Sequence, residues 1–498
     1  MDLSLDEVKT LSRPKLTPTP EQLAILQKAK TTQSNILITA LAGGAKTSTL
    51  QMVCETLTGS PILSLAFNKK IAEEMAARLP SHVSASTINS LGHRAWSSFT
   101  GKKLTVDTRK SYQLLKDAVD GLKGNAKSDA YDVFSDTLNA ISRAKLNGYL
   151  PVDKFLDKPH PLSREDFILS FDEPPSAPQM RLIDDILVKT VKQGFDGRID
   201  FDDQIFLPTI FGGVFPKFPL NLVDEAQDLS ALNLVFLSKL VESRRIIAVG
   251  DRHQSIYAFR GAATNSMDQL KAQFSMEEMS LSISFRCPQS VVRKARSHAP
   301  NMQWRDGAPE GSIDHLDHWS ASDIPDGAAI ICRNNAPLLS CALALLRAGR
   351  GVKLVGTDLG PSLIKPLKKL GPDTMNQAAV LLEIDKWKEA KLRTSRAKAS
   401  IEDKAECLRV FANFGETLAQ AVAYAEHLFA SSGPILLMSG HKSKGLEFDT
   451  VFHLDSWRVP SKYAETDEEL LQEDNLDYVI TTRAKDRLVY ISLEDFIE

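Results

Sequence analysis

Short apolar runs alternate with amphipathic stretches along most of the chain, and they fall into two blocks. In the first block, apolar runs at residues 35–39 and 61–67 each precede a stretch with helical spacing, and similar runs return at 219–223 and 245–249. A strand, a turn and a helix repeated in this order predict a parallel sheet covered by helices. The second block repeats the pattern, with strands predicted at 328–332, 352–355, 435–438, 450–453 and 488–491 and a helix at 337–346.

Two polar, helical stretches interrupt these blocks. One covers residues 98–195 and is punctuated by prolines, and the other covers 360–431 and is rich in charge. We therefore predict an α/β protein with two sheet domains, each carrying a mostly helical insertion. The predicted first domain comprises residues 1–97 and 196–278, with 98–195 inserted. The predicted second domain comprises 279–359 and 432–498, with 360–431 inserted.

The composition is that of an ordinary soluble protein. Of the 498 residues, 43% are hydrophobic and 25% are charged. No stretch approaches the roughly 18 apolar residues that a membrane span needs, and the acidic N-terminus lacks the apolar region of a signal peptide. The five cysteines show no CxxC spacing, which is typical of reduced, buried thiols. We therefore expect a cytoplasmic protein without a membrane partner.

Net charge alone does not point to a nucleic-acid partner, because it is only −3. Lysine and arginine are nevertheless concentrated within residues 102–127 and 386–398. Each concentration is either a solvated helix face or part of a basic groove for phosphates, and phosphate binding needs only a local groove. The charge pattern leaves both interpretations open.

A glycine-rich turn follows the first predicted strand and opens a helix. It contains Gly43, Gly44, Ala45, Lys46 and Thr47. Backbone N–H groups in such a turn wrap phosphates, the lysine holds the β- and γ-phosphates, and the threonine hydroxyl ligates Mg²⁺. Glycine usually precedes the lysine, so the methyl group of Ala45 would crowd the phosphates or strain the turn. A chance turn and a degenerate loop that no longer binds remain alternatives.

A carboxylate pair, Asp224 and Glu225, ends a later apolar strand. The carboxyl ends of strands are where α/β sheets bind ligands. Asp224 would hold Mg²⁺ through water, and Glu225 would orient and deprotonate an attacking water. Acidic pairs are common on helix surfaces, but a pair at the end of a buried strand supports a site for ATP and Mg²⁺.

Two arginines, Arg286 and Arg483, are candidates for clamping the γ-phosphate. An inserted guanidinium stabilises the charge of phosphoryl transfer and is worth about 10³–10⁵ in rate. Both lie far along the sequence from the glycine-rich turn, which suits a site between two domains. The alternative for any single arginine is a surface ion pair.

Aromatic residues next to polar ones suggest contact with nucleic acid. Phe67 precedes Asn68, and Phe259 precedes Arg260. A phenylalanine ring can stack on a base of any identity. Without further context, the alternative that these rings belong to the hydrophobic core is the stronger one.

Taken together, the motifs resemble those of superfamily 1 DNA helicases of the UvrD/Rep type. The segments 224–228, 250–261, 441–448 and 478–484 are similar to the second, third, fifth and sixth motifs of that family. The segments 17–22, 66–70, 86–92 and 200–203 resemble its remaining N-terminal motifs. The N-terminal quarter is most similar to the helicase part of F-box DNA helicases.

The resemblance implies two RecA-like P-loop domains that bind one ATP between them and move along single-stranded DNA, 3′→5′. Gln22 would read the adenine, Phe285 would stack on it, and Glu447 would contact the ribose. Gln254 would couple the γ-phosphate to the DNA site. Asn89 and His441 join Phe67, Asn68, Phe259 and Arg260 as expected DNA contacts. Lys46, Glu225, Gln254, Arg286 and Arg483 would carry the catalysis.

Several positions depart from the family pattern. Ala45 replaces a glycine, Asn89 a histidine, Ser284 an asparagine and Phe259 a tryptophan. The second insertion is also shorter than in the large bacterial members. Ala45 keeps open a single-strand-binding protein with a decayed phosphate loop, and an RNA helicase is a further alternative.

The expected partners are single-stranded DNA, junctions of single- and double-stranded DNA, and proteins of replication or repair. The expected location is at the nucleoid in a bacterium or phage, and in the nucleus in a eukaryote. We expect no coupled nuclease, because the chain ends at residue 498, soon after the sixth motif.

Overall fold

Two six-stranded parallel sheets form the framework of the protein. The computed structural model describes residues 17–66, 69–155, 157–159, 161–171, 174–242, 244–256, 265–356, 359–394 and 398–497. The α/β fold predicted from the repeated strand–helix pattern is confirmed. In the part of the chain covered by these ranges, no helix combines the length and apolar character needed to cross a membrane.

The chain begins the first domain with alternating helices and strands. These are α1 (Pro20–Thr31), β1 (Ile36–Ala40), α2 (Lys46–Thr56), β2 (Ile62–Ala66), α3 (Lys69–Arg78), β3 (Val83–Thr87) and α4 (Ile88–Thr100). Thr19 caps α1, and its hydroxyl accepts a hydrogen bond from the Gln22 N–H. Every residue of β2 is buried, as expected for a parallel strand with helices on both faces.

A helical unit is then inserted into this domain. It contains β4 (Thr105–Val106), α5 (Lys110–Asp120), α6 (Asn125–Asp132), α7 (Phe134–Asn147), α8 (Arg164–Leu169), α9 (Ala177–Phe195) and β5 (Arg198–Ile199). A buried ion network joins it to the sheet domain: Lys110 Nζ lies 2.6 Å from Asp203 Oδ2, and Lys145 Nζ lies 2.6 Å from Asp200 Oδ2. These charges lie in the interior, so their pairing fixes the position of the insertion.

The first sheet is completed after the insertion. The chain forms α10 (Asp203–Phe211), β6 (Leu220–Val223), α11 (Ala231–Val241), β7 (Arg245–Gly250), α12 (Ser266–Gln273) and β8 (Glu277–Leu281). The strand order is β3-β2-β6-β7-β1-β8. Residues 36–40 of β1 pair with residues 277–281 of β8. The predicted boundary at residue 278 was therefore misplaced, because it cuts through a strand of the first sheet.

The second domain contains the other large sheet. Its elements before the second insertion are β9 (Ile283–Ser284), α13 (Gln289–Ala295), β10 (Gln303–Trp304), β11 (Ser312–Leu316), β12 (Ala329–Cys332), α14 (Asn335–Arg347) and β13 (Val352–Leu354). Next come the insertion helices α15 (Leu359–Leu367), α16 (Gln377–Thr394), α17 (Lys398–Phe414) and α18 (Leu418–Ala430). The chain ends with β14 (Ile435–Ser439), α19 (Gly440–Ser443), β15 (Phe448–Leu454), α20 (Asp467–Thr481) and β16 (Ala484–Ile491). The strand order is β11-β16-β15-β12-β14-β13.

The second insertion shares a core with its parent domain. Leu408 and Phe411 of α17 belong to the same buried cluster as Leu339 of α14 and Leu437 of β14. A continuous core means that these helices cannot separate from the sheet without exposing apolar surface to water. The insertion is thus a fixed part of the second domain.

Apolar side chains also join the two sheet domains. Leu41, Ala42 and Ile256 of the first domain share a buried cluster with Val291 and Tyr478 of the second. The Tyr478 hydroxyl accepts a hydrogen bond of 2.8 Å from the Ala42 N–H. The turn after β1 therefore lies at the interface of the two domains.

Candidate active site

The turn between β1 and α2 is a tight backbone cradle. Gly43 has φ +72°, and a Cβ there would lie 2.6 Å from Ser284 Oγ, so only glycine fits. Ala45 also lies in the left-handed region, at φ 56° and ψ 38°. Helix α2 begins at Lys46, directly after this turn. Alanine has no side-chain acceptor for the first N–H groups of the helix, which leaves them to bind an anion.

Two side chains from the start of α2 meet the carboxylate pair at the end of β6. Lys46 Nζ lies 2.7 Å from Glu225 Oε2. The Thr47 hydroxyl donates to Asp224 Oδ2 at 3.3 Å. Glu225 has φ 52°, a left-handed conformation that is unusual for a residue with a side chain. The structure thus brings together Lys46, Thr47, Asp224 and Glu225.

Burial and mutual charge control the protonation of these groups. Burial, with the charge of Glu225, raises the pKa of Asp224. Burial also acts to raise the pKa of Glu225, but the Lys46 ammonium outweighs it and the net pKa is lowered. Burial opposes the charge of Lys46, yet the carboxylates of Glu225, Asp251 and Asp224 together raise its pKa. Lys46 is therefore an ammonium and Glu225 a carboxylate at neutral pH.

The donor set at this point suits a magnesium ion. Mg²⁺ prefers oxygen ligands and retains several waters. The Thr47 hydroxyl and the Asp224 carboxylate supply such oxygens, and both line a cavity of about 140 Å³. One water occupies about 30 Å³ of the liquid, so the cavity has room for a partly hydrated ion.

A chain of side-chain amides connects Glu225 to the segment after β7. Gln227 Nε2 donates to Glu225 Oε2 at 2.5 Å. The Gln227 side-chain oxygen accepts from the Asp251 N–H at 3.0 Å. Gln254 Nε2 donates to Asp251 Oδ2 at 2.7 Å. A change at the carboxylate can therefore reach Gln254 through three hydrogen bonds.

Arg483 is a fully buried cation. Its guanidinium donates to the carbonyls of Val479 and Leu446, at 2.8 and 3.0 Å. Burial, reinforced by the neighbouring Arg286, lowers its pKa to about 9. Within the described ranges no carboxylate forms an ion pair with it. A buried guanidinium held only by neutral acceptors is an incomplete charge site, which an anion would complete.

Arg286 lies against the glycine-rich turn. A Cβ on Gly43 would lie 2.8 Å from the Arg286 Cβ, and the Phe285 N–H donates to the Gly43 carbonyl at 2.9 Å. Arg286 Nε pairs with Glu447 Oε2 at 2.7 Å. The structure thus places Arg286, Phe285 and Glu447 beside the same turn, and 40% of Phe285 is exposed.

Gln22 lies in the interior near the same turn. It is 2% exposed. Its Nε2 donates to Thr49 Oγ1 at 3.0 Å, and its Oε1 accepts from the Thr19 N–H at 3.0 Å. Both ends of the amide are therefore engaged within the protein, so its role as adenine reader stays a prediction.

A buried ion pair bridges the domains beside the carboxylates. Lys444 Nζ contacts both Asp228 oxygens, at 2.7 and 2.9 Å, and the Gln254 carbonyl at 2.6 Å. Asn475 Nδ2 also crosses the interface to the Ser255 carbonyl at 3.0 Å. Sequence reasoning assigned no role to Lys444, Asp228 or Asn475. Lys444 and Asp228 lie inside the motifs, but nothing in the sequence shows that these two residues, 216 positions apart, form a pair.

The structure describes two of the six residues expected to contact DNA, Asn89 and His441. Asn89 lines a cleft of about 910 Å³ at the carboxyl ends of β2 and β3, together with Arg94 and Phe201. His441 is half-buried at the start of α19, just after β14. Phe67, Asn68, Phe259 and Arg260 lie outside the described residues. No contact of these six residues with DNA is tested by the structure, so all six remain predictions.

Comparison with known proteins agrees with this architecture. The family model for the UvrD/REP helicase N-terminal domain matches residues 19–275, and that for the UvrD-like helicase C-terminal domain matches residues 379–495. The two parallel sheets correspond to the two RecA-like domains of these helicases.

The individual relatives are distant in sequence, but their alignments cover most of this chain. F-box DNA helicase protein 1 of Schizosaccharomyces pombe is 24% identical over 95% of this chain and 57% of its own length. F-box DNA helicase 1 of Gallus gallus is 24% identical over 97% of this chain and 49% of its own. ATP-dependent DNA helicase PcrA of Leuconostoc citreum is 24% identical over 62% and 43%, respectively. The chain spans about half the length of these relatives, and it belongs to the UvrD/REP helicase family.

Proposed function

We propose that this protein is a DNA-dependent ATPase that uses ATP hydrolysis to move along single-stranded DNA. One observation carries the proposal. The buried cation Arg483 comes from the second domain, whereas the phosphate cradle and the carboxylates come from the first. A γ-phosphate held between them would give Arg483 the anion that it lacks, and would draw the two domains together.

Lys46 and Glu225 have complementary roles in this proposal. In the absence of nucleotide each neutralises the other at 2.7 Å. When the Lys46 ammonium turns to the phosphates, Glu225 is left as a free carboxylate that can orient water and accept its proton. Thr47 and Asp224 would hold Mg²⁺, which supplies charge neutralisation of the phosphate oxygens.

The interdomain contacts offer a route from nucleotide to DNA. Gln254 is joined to Glu225 through Asp251 and Gln227, and its carbonyl accepts from Lys444 of the second domain. A shift at Glu225 would therefore alter the grip of one domain on the other. Repeated closing and opening would move a strand lying across the cleft that Asn89 lines. The finer assignment, 3′→5′ movement on single strands and at junctions, rests on the family resemblance.

Ala45 motivates a second candidate, a single-strand-binding protein with an inactive nucleotide site. Its left-handed conformation is one that alanine adopts at a cost. The intact contacts Lys46–Glu225 and Thr47–Asp224 favour a working ATPase instead. Retention of each group in an interacting position is the consistency expected of a functional site.

Substitution of Lys46 tests the proposal. We expect Lys46→Ala to abolish ATP hydrolysis while the far-ultraviolet circular dichroism spectrum remains that of the folded protein. Lys217→Ala is a matched control, because that lysine side chain is 67% exposed at the surface. Hydrolysis by Lys46→Ala at the wild-type rate would eliminate the proposed site.

The direction of movement needs a separate assay. Streptavidin bound to a biotin at the 5′ end of an oligonucleotide should be displaced faster than streptavidin at the 3′ end. Preferential displacement from the 3′ end would contradict the proposed polarity but leave the ATPase proposal intact.

A further inference from the structure

One tryptophan is presented to solvent, unlike the others. Trp457 follows β15 and is 66% exposed. Trp96 and Trp319 are fully buried, and Trp304 and Trp387 are half-buried. All five tryptophans of the chain lie in described segments. A single exposed apolar residue is ordinary on a protein surface. Tryptophan, however, is enriched at interfaces because it combines a large apolar ring with a polar N–H, so the surroundings of Trp457 decide whether it is a contact site.

The loop that carries Trp457 is held at both ends. Asp455 is buried, its Oδ1 accepts from the Leu493 N–H at 2.9 Å, and its φ of 49° is a left-handed conformation that turns the chain directly after β15. After the tryptophan, the Ser461 N–H donates to Glu473 Oε2 at 2.8 Å. Glu473 is itself fixed by two hydrogen bonds from Arg333. A ring on a pinned loop loses little freedom when a ligand binds.

The sheet places Trp457 on the same edge as a residue expected to contact DNA. Strand β12 pairs with both β14 and β15. His441 follows β14, and Trp457 follows β15, so both leave the carboxyl edge of the sheet. Two strand spacings, roughly 10 Å, separate the starting points of the two segments. A strand passing over this edge would meet both.

The charge beside the ring suits a nucleic-acid strand. The Arg458 guanidinium lies 4.5 Å from the centroid of the Trp457 ring. Its Nε–H forms an ion pair with Asp455 Oδ2 at 3.0 Å, which orients the guanidinium plane and offsets part of its charge. An aromatic face beside an arginine combines stacking on a base with attraction for a phosphate.

We propose that Trp457 stacks on a base of single-stranded DNA and forms a DNA contact on the second domain, with Arg458 beside the adjoining phosphate. The inference rests on the proposed function, because it requires a strand at this edge. It assigns the second domain a stacking residue of its own. The strand would then be held on the second sheet while the first domain moves.

Fluorescence and affinity together test this contact. Acrylamide quenches the emission of solvent-exposed tryptophan. Binding of a thymidine oligonucleotide should quench this same part of the emission in the wild type. The oligonucleotide should cause no such quenching in Trp457→Phe. Stacking on one base corresponds to about 5- to 150-fold in affinity, so Trp457→Ala should weaken binding within that range. Trp457→Phe should restore most of the loss, because phenylalanine also stacks. Leu169→Ala is the control, because Leu169 is 71% exposed and lies in the first insertion.

Salt dependence separates stacking from charge. Trp457→Ala should leave the slope of log K against log salt unchanged. Arg458→Gln should make this negative slope shallower by about 0.7, because one phosphate contact on a single strand contributes about that much. Unchanged affinity in Trp457→Ala, with wild-type protein that still binds DNA, would overturn the inference but not the proposed function. Wild-type protein that binds no DNA would overturn both.

Discussion

Replacement of Arg483 by methionine should separate activity from stability. The wild-type guanidinium is fully buried, and burial lowers its pKa to about 9. Methionine has a similar length and no charge, so Arg483→Met removes the cation without opening a large cavity. We expect a large loss of ATP hydrolysis and a small change in the stability of the nucleotide-free protein.

Two opposing free energies decide the change in stability. Burying the guanidinium costs several kcal/mol. Its hydrogen bonds to the Val479 and Leu446 carbonyls each recover roughly 1.5–3 kcal/mol. Methionine removes both contributions, so the free energy of unfolding should change by less than about 2 kcal/mol. Loss of a γ-phosphate clamp should lower the turnover rate by about 10³–10⁵.

Urea denaturation without nucleotide and steady-state ATP hydrolysis measure the two effects. Phe411→Ala is the stability control, because truncating a fully buried phenylalanine should cost about 3–5 kcal/mol. A turnover rate within tenfold of wild type would refute the role of Arg483. A loss of stability as large as that of Phe411→Ala would show that the guanidinium is a structural group.

Substitutions at three further sites test local interactions by urea denaturation. Ala45→Gly should raise the free energy of unfolding by roughly 0.5–1 kcal/mol, because glycine relieves the left-handed conformation; no gain would mean that the turn is unstrained. Lys444→Met should lower it by about 3–5 kcal/mol by leaving Asp228 buried and unpaired, and Asp228→Leu in the same chain should recover much of that loss. Burial lowers the pKa of His453 in the folded protein to about 4, whereas in the unfolded chain its pKa is about 6.5. Between these values the unfolded chain binds a proton that the folded protein does not. Stability should therefore fall by up to about 3 kcal/mol between pH 6.5 and 4, and His453→Phe should flatten this part of the pH profile; an unchanged slope would contradict the assignment.

The sheet interiors could be predicted from the sequence, whereas most edges could not. Strands β2, β6, β7 and β12 are buried along their whole length, so their sequences are mostly apolar and could be recognised as strands. Strands β3, β8 and β11 were missed, and each lies at the edge of its sheet. Three of the five residues of β8 are exposed, so its sequence contains no continuous apolar run. An edge strand is specified by the neighbour it pairs with, and one sequence does not contain that information locally.

Local motifs pick out the candidate residues one by one, and their roles stay predictions; the connections between those residues cannot be predicted from the motifs. Glycines, Lys46 and the carboxylates have local motifs whose chemistry is readable. The Lys444–Asp228 bridge and the Tyr478–Ala42 hydrogen bond join positions hundreds of residues apart. Burial without a counter-charge, the property that distinguishes Arg483, depends on the packing of two domains. Such properties follow from tertiary structure and not from spacing along the chain.

Mg²⁺-dependent ATP hydrolysis by purified protein, with and without a single-stranded DNA oligonucleotide, tests the central claim most directly. The account predicts slow hydrolysis alone and strong stimulation by the oligonucleotide, because a bound strand favours the closed arrangement in which Arg483 meets the γ-phosphate. Protein that binds the oligonucleotide but hydrolyses no ATP in either condition would contradict the account and favour a DNA-binding protein with an inactive nucleotide site.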